Sequence, residues 1–200
     1  MLPLIYTNPI AAIVFLAVCL VWLIPEMVGM APQMAKISRR SAIIEDKSSL
    51  WILIGLQWIG LALNFLLGWI FPAAAITWQR MVIFALAMIA IFSGTALRWY
   101  AIVTLGRYFT RDVAVTQHQA IVKHGPYRII RHPAYSGTLI TMLGVGLALA
   151  NWASLIVLLT CVMIGHLYRV RVEEKALIKA IGEPYIEYMH HTRRFIPLLF

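Results

Sequence analysis

The sequence predicts an all-α integral membrane protein with five transmembrane helices, the last two forming a helical hairpin, followed by a cytoplasmic carboxy-terminal segment. Three observations predict it. Of 200 residues, 62% are hydrophobic and only 12% charged, and mean hydropathy is +0.82; this is the composition of a chain whose solvent is lipid. The apolar residues gather into five runs. The basic residues behind the net charge of +9 fall in short segments between alternate runs, as cytoplasmic loops do under the positive-inside rule. Spread in this way they build no single basic face, which argues against nucleic acid as a partner.

The first run covers about residues 9–31 and is uncharged until Glu26, with Pro25 expected to kink or end it. Its start, MLPLIYTNPI, lacks a basic n-region, so it reads as a retained membrane segment rather than a cleaved leader. A charged loop, KISRRSAIIEDK (36–47), leads to the second run at 49–71, which Pro72 closes. Trp51 and Trp69 stand near its ends, where interfacial rings prefer to sit. The third run begins near Trp78 and continues as helix towards Leu105. The fourth starts after His132 and runs to Ala150, and the fifth runs from Trp152 to about Tyr168. Only Asn151 separates these two, which predicts the hairpin. Cys19 and Cys161 both lie inside apolar runs, so no disulfide framework is expected.

Loop charge sets the orientation. Lys36, Arg39, Arg40 and Lys47 follow the first run. Arg98, Arg107, Arg111, Lys123, Arg128 and Arg131 follow the third, and Arg169, Arg171, Lys175, Lys179, Arg193 and Arg194 follow the fifth. The opposite loops carry only Arg80. The amino terminus is therefore expected outside and the carboxyl terminus inside. Residues 1–76 hold two amino-terminal helices. Residues 77–200 hold three more, with a connector at 106–131 and a tail at 172–200 that is helical to Ile181, breaks at Gly182 and Pro184, and ends rich in aromatics.

The segment HGPYRIIRHPAYSG (124–137) is too elaborate for a loop. Pro133 suits the first turn of the fourth helix, which holds Arg131 and His132 extended beside the helix start. Free N–H groups and the dipole make such a start fit for an anion, and Gly137 reads as leaving room for a ligand. Glu173 and Glu174 follow the fifth helix, and the hairpin returns them to the same side. Together with the cationic start they suggest a site for an amino-acid-like zwitterion. Two plainer readings stand beside this one. Arg128 and the tyrosines could form an interfacial belt, and the acids among Arg169, Arg171 and Lys175 could be a salt-bridged face.

These residues carry a family likeness. GPYRIIRHPAYSG (125–137), the NW at 151–152, RVRVEE (169–174) and GEPYIEYMHHTRRFIP (182–197) resemble the isoprenylcysteine carboxyl methyltransferase and phospholipid methyltransferase superfamily of integral membrane enzymes. The resemblance covers roughly residues 97–200. Arg-His-Pro-x-Tyr-x-Gly also resembles an element of membrane sterol reductases; the acidic pair and the Tyr-x-x-Tyr tail make the combination specific.

The resemblance implies S-adenosylmethionine bound in the cytoplasmic half under the carboxy-terminal segment, and a lipophilic substrate reaching it sideways from the bilayer. The residues it implies for the cofactor are Gly125, Tyr127, Arg131, His132, Pro133, Tyr135, Gly137, Glu173, Glu174, Tyr185 and Tyr188. Those it implies for catalysis are Arg169, towards a substrate carboxylate, with Glu173 and His132. The reaction implied is carboxyl methylation of an isoprenylcysteine-like substrate. Alternatives are N-methylation of a phospholipid or other lipophilic amine with His132 as base, a sterol-reductase-like NADPH enzyme, and a non-catalytic membrane protein. No metal is expected: His118, His124, His190 and His191 lack the spacing of a zinc site. His166 reads as a polar contact between helices.

Overall fold

In a computed structural model the chain is nearly all helix, and the structure describes residues 2–28, 42–46, 48–109, 113–116 and 121–195. Lys36, Arg39, Arg40, Lys47, Arg111 and His118 lie outside the described residues. After a short helix α1 (Leu4–Thr7), the long helices are α2 (Pro9–Val28), α3 (Ser48–Ile70), α4 (Arg80–Leu105), α5 (Pro133–Ala148) and α6 (Trp152–Ile181), with α7 (Glu183–His191) at the end.

Local chemistry sets the boundaries. Asn8 Oδ1 accepts from the amides of Ile10 and Ala11 at 2.9 and 3.2 Å, an N-cap placed just before Pro9. Asp46 caps α3, accepting from the Ser48 and Ser49 amides at 2.8 and 3.0 Å. Asn151 caps α6 through the Ser154 amide at 3.1 Å. Gly106 and Gly182, at φ 55° and 73°, end α4 and α6 in a conformation that suits glycine. Of the two outcomes expected at Pro25, a kink or an end, the helix does not end there and runs on to Val28. Proline is tolerated inside apolar helices where neighbouring helices or local backbone adjustment re-satisfy the freed carbonyl.

Among the described residues, three helices are long and apolar enough to cross a membrane: Ser48–Ile70, Arg80–Leu105 and Trp152–Ile181. The two expected spans at 9–31 and 133–150 appear as shorter apolar helices, Pro9–Ile24 and Pro133–Ala148. At about 1.5 Å per residue, α5 reaches roughly 24 Å, short of a hydrocarbon layer of about 30 Å. It is the central element, with twelve of its 16 residues buried, packed along α4 and against α6, while α3 packs along α6. The main core joins Phe15 and Trp22 of α2, Ile91 of α4, Met142 of α5 and Leu158 of α6, and it extends to Phe195 of the tail. Outward faces are apolar, with Ile10, Ile59, Phe92 and Ile164 all exposed, as a lipid solvent requires.

The α4–α5 seam is closed by glycines. A Cβ on Gly137 would stand 2.6 Å from Gly94 O and 2.7 Å from Arg98 N, and one on Gly144 would stand 2.6 Å from Ala87 O. The space expected beside Gly137 for a ligand is therefore filled by the backbone of α4. Small residues at such crossings let helices meet without a hydrophobic driving force. Gly137→Ala, which meets backbone on both sides, is expected to lower the thermal midpoint in detergent by roughly 5 °C or more. An unchanged midpoint with impaired ligand binding would return Gly137 to a ligand wall.

The fold is not purely helical. Ala42–Asp46 (β1) and Val113–Thr116 (β2) pair antiparallel, joining the first charged loop to the connector. The tail pairs with the connector too, through a parallel bridge between Ile130 and Arg193. At the other end of the bundle, Ala75 bridges to Asn151, and Asn151 Nδ2 donates to Phe71 O at 2.9 Å. The chain thus shuttles between two faces, with the ribbon, connector and tail together on one of them.

Candidate functional site

The site lies on the ribbon face, where α5 begins and α6 leaves the bundle. At 30 residues α6 is roughly 45 Å long, and its second half carries Arg169, Glu173 and Glu174 to the start of α5. Pro133 is the first residue of α5 and His132 its N-cap, as the sequence predicts.

Four amides around this helix start are already engaged. Those of Tyr135 and Ser136 donate to His132 O at 3.1 and 3.0 Å, and those of Arg131 and His132 to Arg193 O and Arg194 O at 2.7 and 3.2 Å. Of the N–H groups expected to form an anion cradle, those of Arg131 and His132 are thus taken by the tail and those of Tyr135 and Ser136 by the carbonyl of the cap residue. Ser136 Oγ adds a bond to Phe195 O at 2.7 Å.

The two acids divide the work. Glu174 is buried, and its Oε1 accepts from Arg131 Nε at 3.1 Å and faces His132 Nε2 at 3.3 Å. Its Oε2 accepts from Arg194 Nη2 at 2.6 Å. The acid and the cationic helix start thus meet directly instead of facing each other across a gap. Arg131 also donates to Met189 O at 2.8 Å and to Thr192 O, which ties down the end of α7. Glu173 is more open, with its side chain 31% exposed. It accepts from the Tyr135 hydroxyl at 2.9 Å, and its Oε2 lies 4.0 Å from His132 Nδ1.

Arg169 is buried. Its Nε donates to the Tyr135 hydroxyl at 3.3 Å and its Nη1 to Ser49 Oγ at 2.7 Å. His132 stacks on Tyr135 with ring centroids 5.7 Å apart, and His166 meets the other side of Tyr135 edge-on at 5.3 Å. His166 Nδ1 lies 2.8 Å from Val162 O of its own helix, so its link to α5 is through the ring.

The aromatic residues form a second layer. Tyr188 donates to Tyr127 O at 2.7 Å, and its ring lies 5.9 Å from that of Tyr185. Burial, and then the charge of Glu173, push the Tyr127 and Tyr185 phenols up; burial pushes Tyr188 up to about 12. These side chains stay neutral and act as rings and hydroxyls. Gly125 sits apart, in a left-handed turn (φ 58°) beside Tyr100 and Thr104 of α4.

Of the residues the sequence singles out, the fold gathers Arg131, His132, Tyr135, Arg169, Glu173 and Glu174 at one centre. Tyr127, Tyr185 and Tyr188 cover it, while Gly125 and Gly137 serve turn and packing. Sequence reasoning missed Ser49, and it counted Arg98 with the loop charges that follow the third run. Arg98 is in α4, where it pairs with both carboxylate oxygens of Glu26, Nη2 to Oε2 at 3.0 Å, and reaches Ala134 O at 3.4 Å. An acid and a base each interrupting an apolar run was the available signal.

Fold and site define a helical membrane protein with a buried polar centre at one end of its bundle, roofed by its own carboxy-terminal segment. Residues 85–179 match the sequence model of the isoprenylcysteine carboxyl methyltransferase (ICMT) family, which supports the superfamily that the motifs resemble. Similar relatives are Protein-S-isoprenylcysteine O-methyltransferases A and B of Arabidopsis thaliana, 33% identical over 114 residues and 36% over 118. These matches cover 56% and 58% of this chain. They cover 58% and 59% of the relatives, so the chain spans less than two thirds of their length. The solved structure of the eukaryotic intramembrane Ras methyltransferase ICMT (isoprenylcysteine carboxyl methyltransferase) superposes with a TM-score of 0.56 at 23% identity, over 78% of this chain and 55% of that one. This is a likeness of fold.

Proposed function

We propose that the protein is an S-adenosylmethionine-dependent methyltransferase that methylates the carboxylate of an isoprenylcysteine-like substrate held in the membrane. The observation that carries this reading is the row Arg169–Tyr135–Glu173, a guanidinium joined through one hydroxyl to a half-exposed carboxylate. Both relatives named above are isoprenylcysteine O-methyltransferases.

The residues fit the cofactor by their chemistry. Glu173 offers a carboxylate to an ammonium or ribose hydroxyl. His132 and Tyr135 form a stacked pair against which a sulfonium, a cation, is favoured. Tyr185 and Tyr188 supply aromatic surface for an adenine, and the segment 182–195 forms the cover. When bound, S-adenosylmethionine supplies an electrophilic methyl group on positively charged sulfur.

The chain's own residues then position and desolvate. Arg169 pairs with the substrate carboxylate, the partner a guanidinium matches best, and the covered site keeps water out. A carboxylate already carries its lone pair, so no base is required, and alignment of the reacting atoms supplies most of the rate. His132 beside Glu173 and Glu174 serves the cofactor pocket in this reading. Substrate arrives sideways, because a lipid tail gains about 0.8 kcal/mol per buried methylene by staying in the bilayer.

The same reading has the chain crossing the bilayer five times with the ribbon face cytoplasmic, supported by the loop charges and the shared face of ribbon, connector and tail. Single cysteines replacing the exposed Trp78 and Glu187 are expected to label from opposite sides of sealed vesicles; labelling from one side ends the five-span model. Function is tested with the full chain in lipid nanodiscs, labelled S-adenosylmethionine and an amine-blocked farnesylcysteine. A base-labile methyl ester is expected. Binding of S-adenosylhomocysteine without ester formation removes the substrate assignment, and absence of both removes the reading.

A further inference from the structure

The matched segment, residues 85–179, contains Tyr135, Arg169 and Glu173, but one partner of Arg169 comes from outside it. Ser49, fully buried at the start of α3, takes the Nη1 hydrogen bond of Arg169 at 2.7 Å. With Arg169 Nε on Tyr135 and Tyr135 on Glu173, a single row of hydrogen bonds runs from α3 through α6 and α5 and back to α6. A guanidinium is planar, and its donors form a rigid fork. Bonds from Nη1 and Nε, on opposite sides of that plane's long axis, fix both where the group lies and how it is turned.

Ser49 is itself fixed. Its amide donates to Asp46 Oδ2 at 3.0 Å, while Asp46 Oδ1 takes the Ser48 amide at 2.8 Å and the Ser48 hydroxyl at 2.6 Å. Those bonds hold the Asp46 carboxyl well below the usual carboxylate range, so it remains an anion at the positive end of α3, where an anion is favoured. Asp46 also closes the β-ribbon, opposite Val113. Ribbon, cap and helix start converge on one hydroxyl aimed at Arg169.

We propose that Ser49 is a positioning residue for Arg169: the hydroxyl through which the amino-terminal helices set the guanidinium for a carboxylate substrate. This rests on the carboxyl-methyltransferase reading above. It gives the amino-terminal helices a part in substrate selection, although the family match does not include them.

The test compares the full-length protein with its Ser49→Ala, Ser49→Thr and Asp46→Ala variants in nanodiscs, using amine-blocked farnesylcysteine as substrate and S-adenosylhomocysteine as the binding probe. A hydrogen bond to a charged group is worth enough that its loss raises KM about tenfold in Ser49→Ala, with cofactor affinity preserved. Ser49→Thr keeps the hydroxyl and is expected to restore KM. Asp46→Ala, which leaves the buried packing intact and frees only the cap, is expected to raise KM by less. Unchanged KM in both Ser49→Ala and Asp46→Ala overturns the inference. So does an equal fall of cofactor affinity and turnover in Ser49→Ala, the mark of a merely structural serine. A parent protein that binds the probe but esterifies nothing fails the underlying reading instead, before any variant is compared.

Discussion

Glu174→Ala is expected to detach the carboxy-terminal segment from the bundle. Three cationic or titratable groups converge on that one buried carboxylate: Arg131, His132 and Arg194. Removing one partner of a buried ionic cluster typically costs about 3–5 kcal/mol, because the remaining charges stay buried without compensation. The loss does not stay local. Arg131 also holds the carbonyls that end α7, and the backbone of 131–132 pairs with that of 193–194. Trypsin should then cut at Arg193 and Arg194 well before the rest of the chain, and S-adenosylhomocysteine affinity should fall with the lost cover. Glu173→Gln makes the contrast. Its partly exposed carboxylate, among the described residues, holds only the Tyr135 hydroxyl closely, so tail protection should persist while cofactor affinity drops. Equal protease resistance in Glu174→Ala and the parent would show that the tail is held by Phe195 and its backbone bridge alone.

This division between adjacent acids shows how far a sequence can be read. Glu173 and Glu174 are indistinguishable as a motif, yet about 100° of helix rotation sends one to Tyr135 and the other to the tail cations. The helices were legible because lipid leaves the backbone few other ways to satisfy its hydrogen bonds, and Asn151, Pro133 and Gly182 mark their ends. The ribbon was not. Ile43 and Val115 are ordinary β-branched residues, and their pairing is a long-range event that no local pattern announces. Arg98 and Glu26 misled in opposite directions, each reading as the edge of an apolar run. Paired, they neutralise one another and stay within their helices, which is how ionisable groups persist among apolar neighbours. Gly137 misled because a small residue near a candidate site suggests ligand room. Its purpose is visible only from Gly94 on the facing helix. Ser49 gave no signal at all, since a serine in a first helical turn is expected for capping alone.

Arg169→Ala is expected to have the largest effect on turnover and to decide which nucleophile the site serves. The side chain is 2% exposed and shared between Tyr135 and Ser49, so it is placed with little freedom to relax. If a carboxylate is the substrate, losing the guanidinium removes a charge-assisted pair in a dry site. Such a loss amounts to about 2–5 kcal/mol, or roughly 30-fold or more in kcat/KM. Arg169→Lys should recover only part of it, because an ammonium keeps the charge but not the planar fork that reaches Tyr135 and Ser49 together. S-adenosylhomocysteine affinity should change little in either variant, since Glu173 keeps its own bond to Tyr135. The amine alternative reverses the sign: a buried cation repels a lipid ammonium, so Arg169→Ala would leave methylation of an amine unchanged or faster. Measuring both substrates and the cofactor constant in these two variants therefore separates carboxyl from amine methylation. Loss of cofactor binding in Arg169→Ala would instead place this arginine in the cofactor pocket and end its assignment to the substrate.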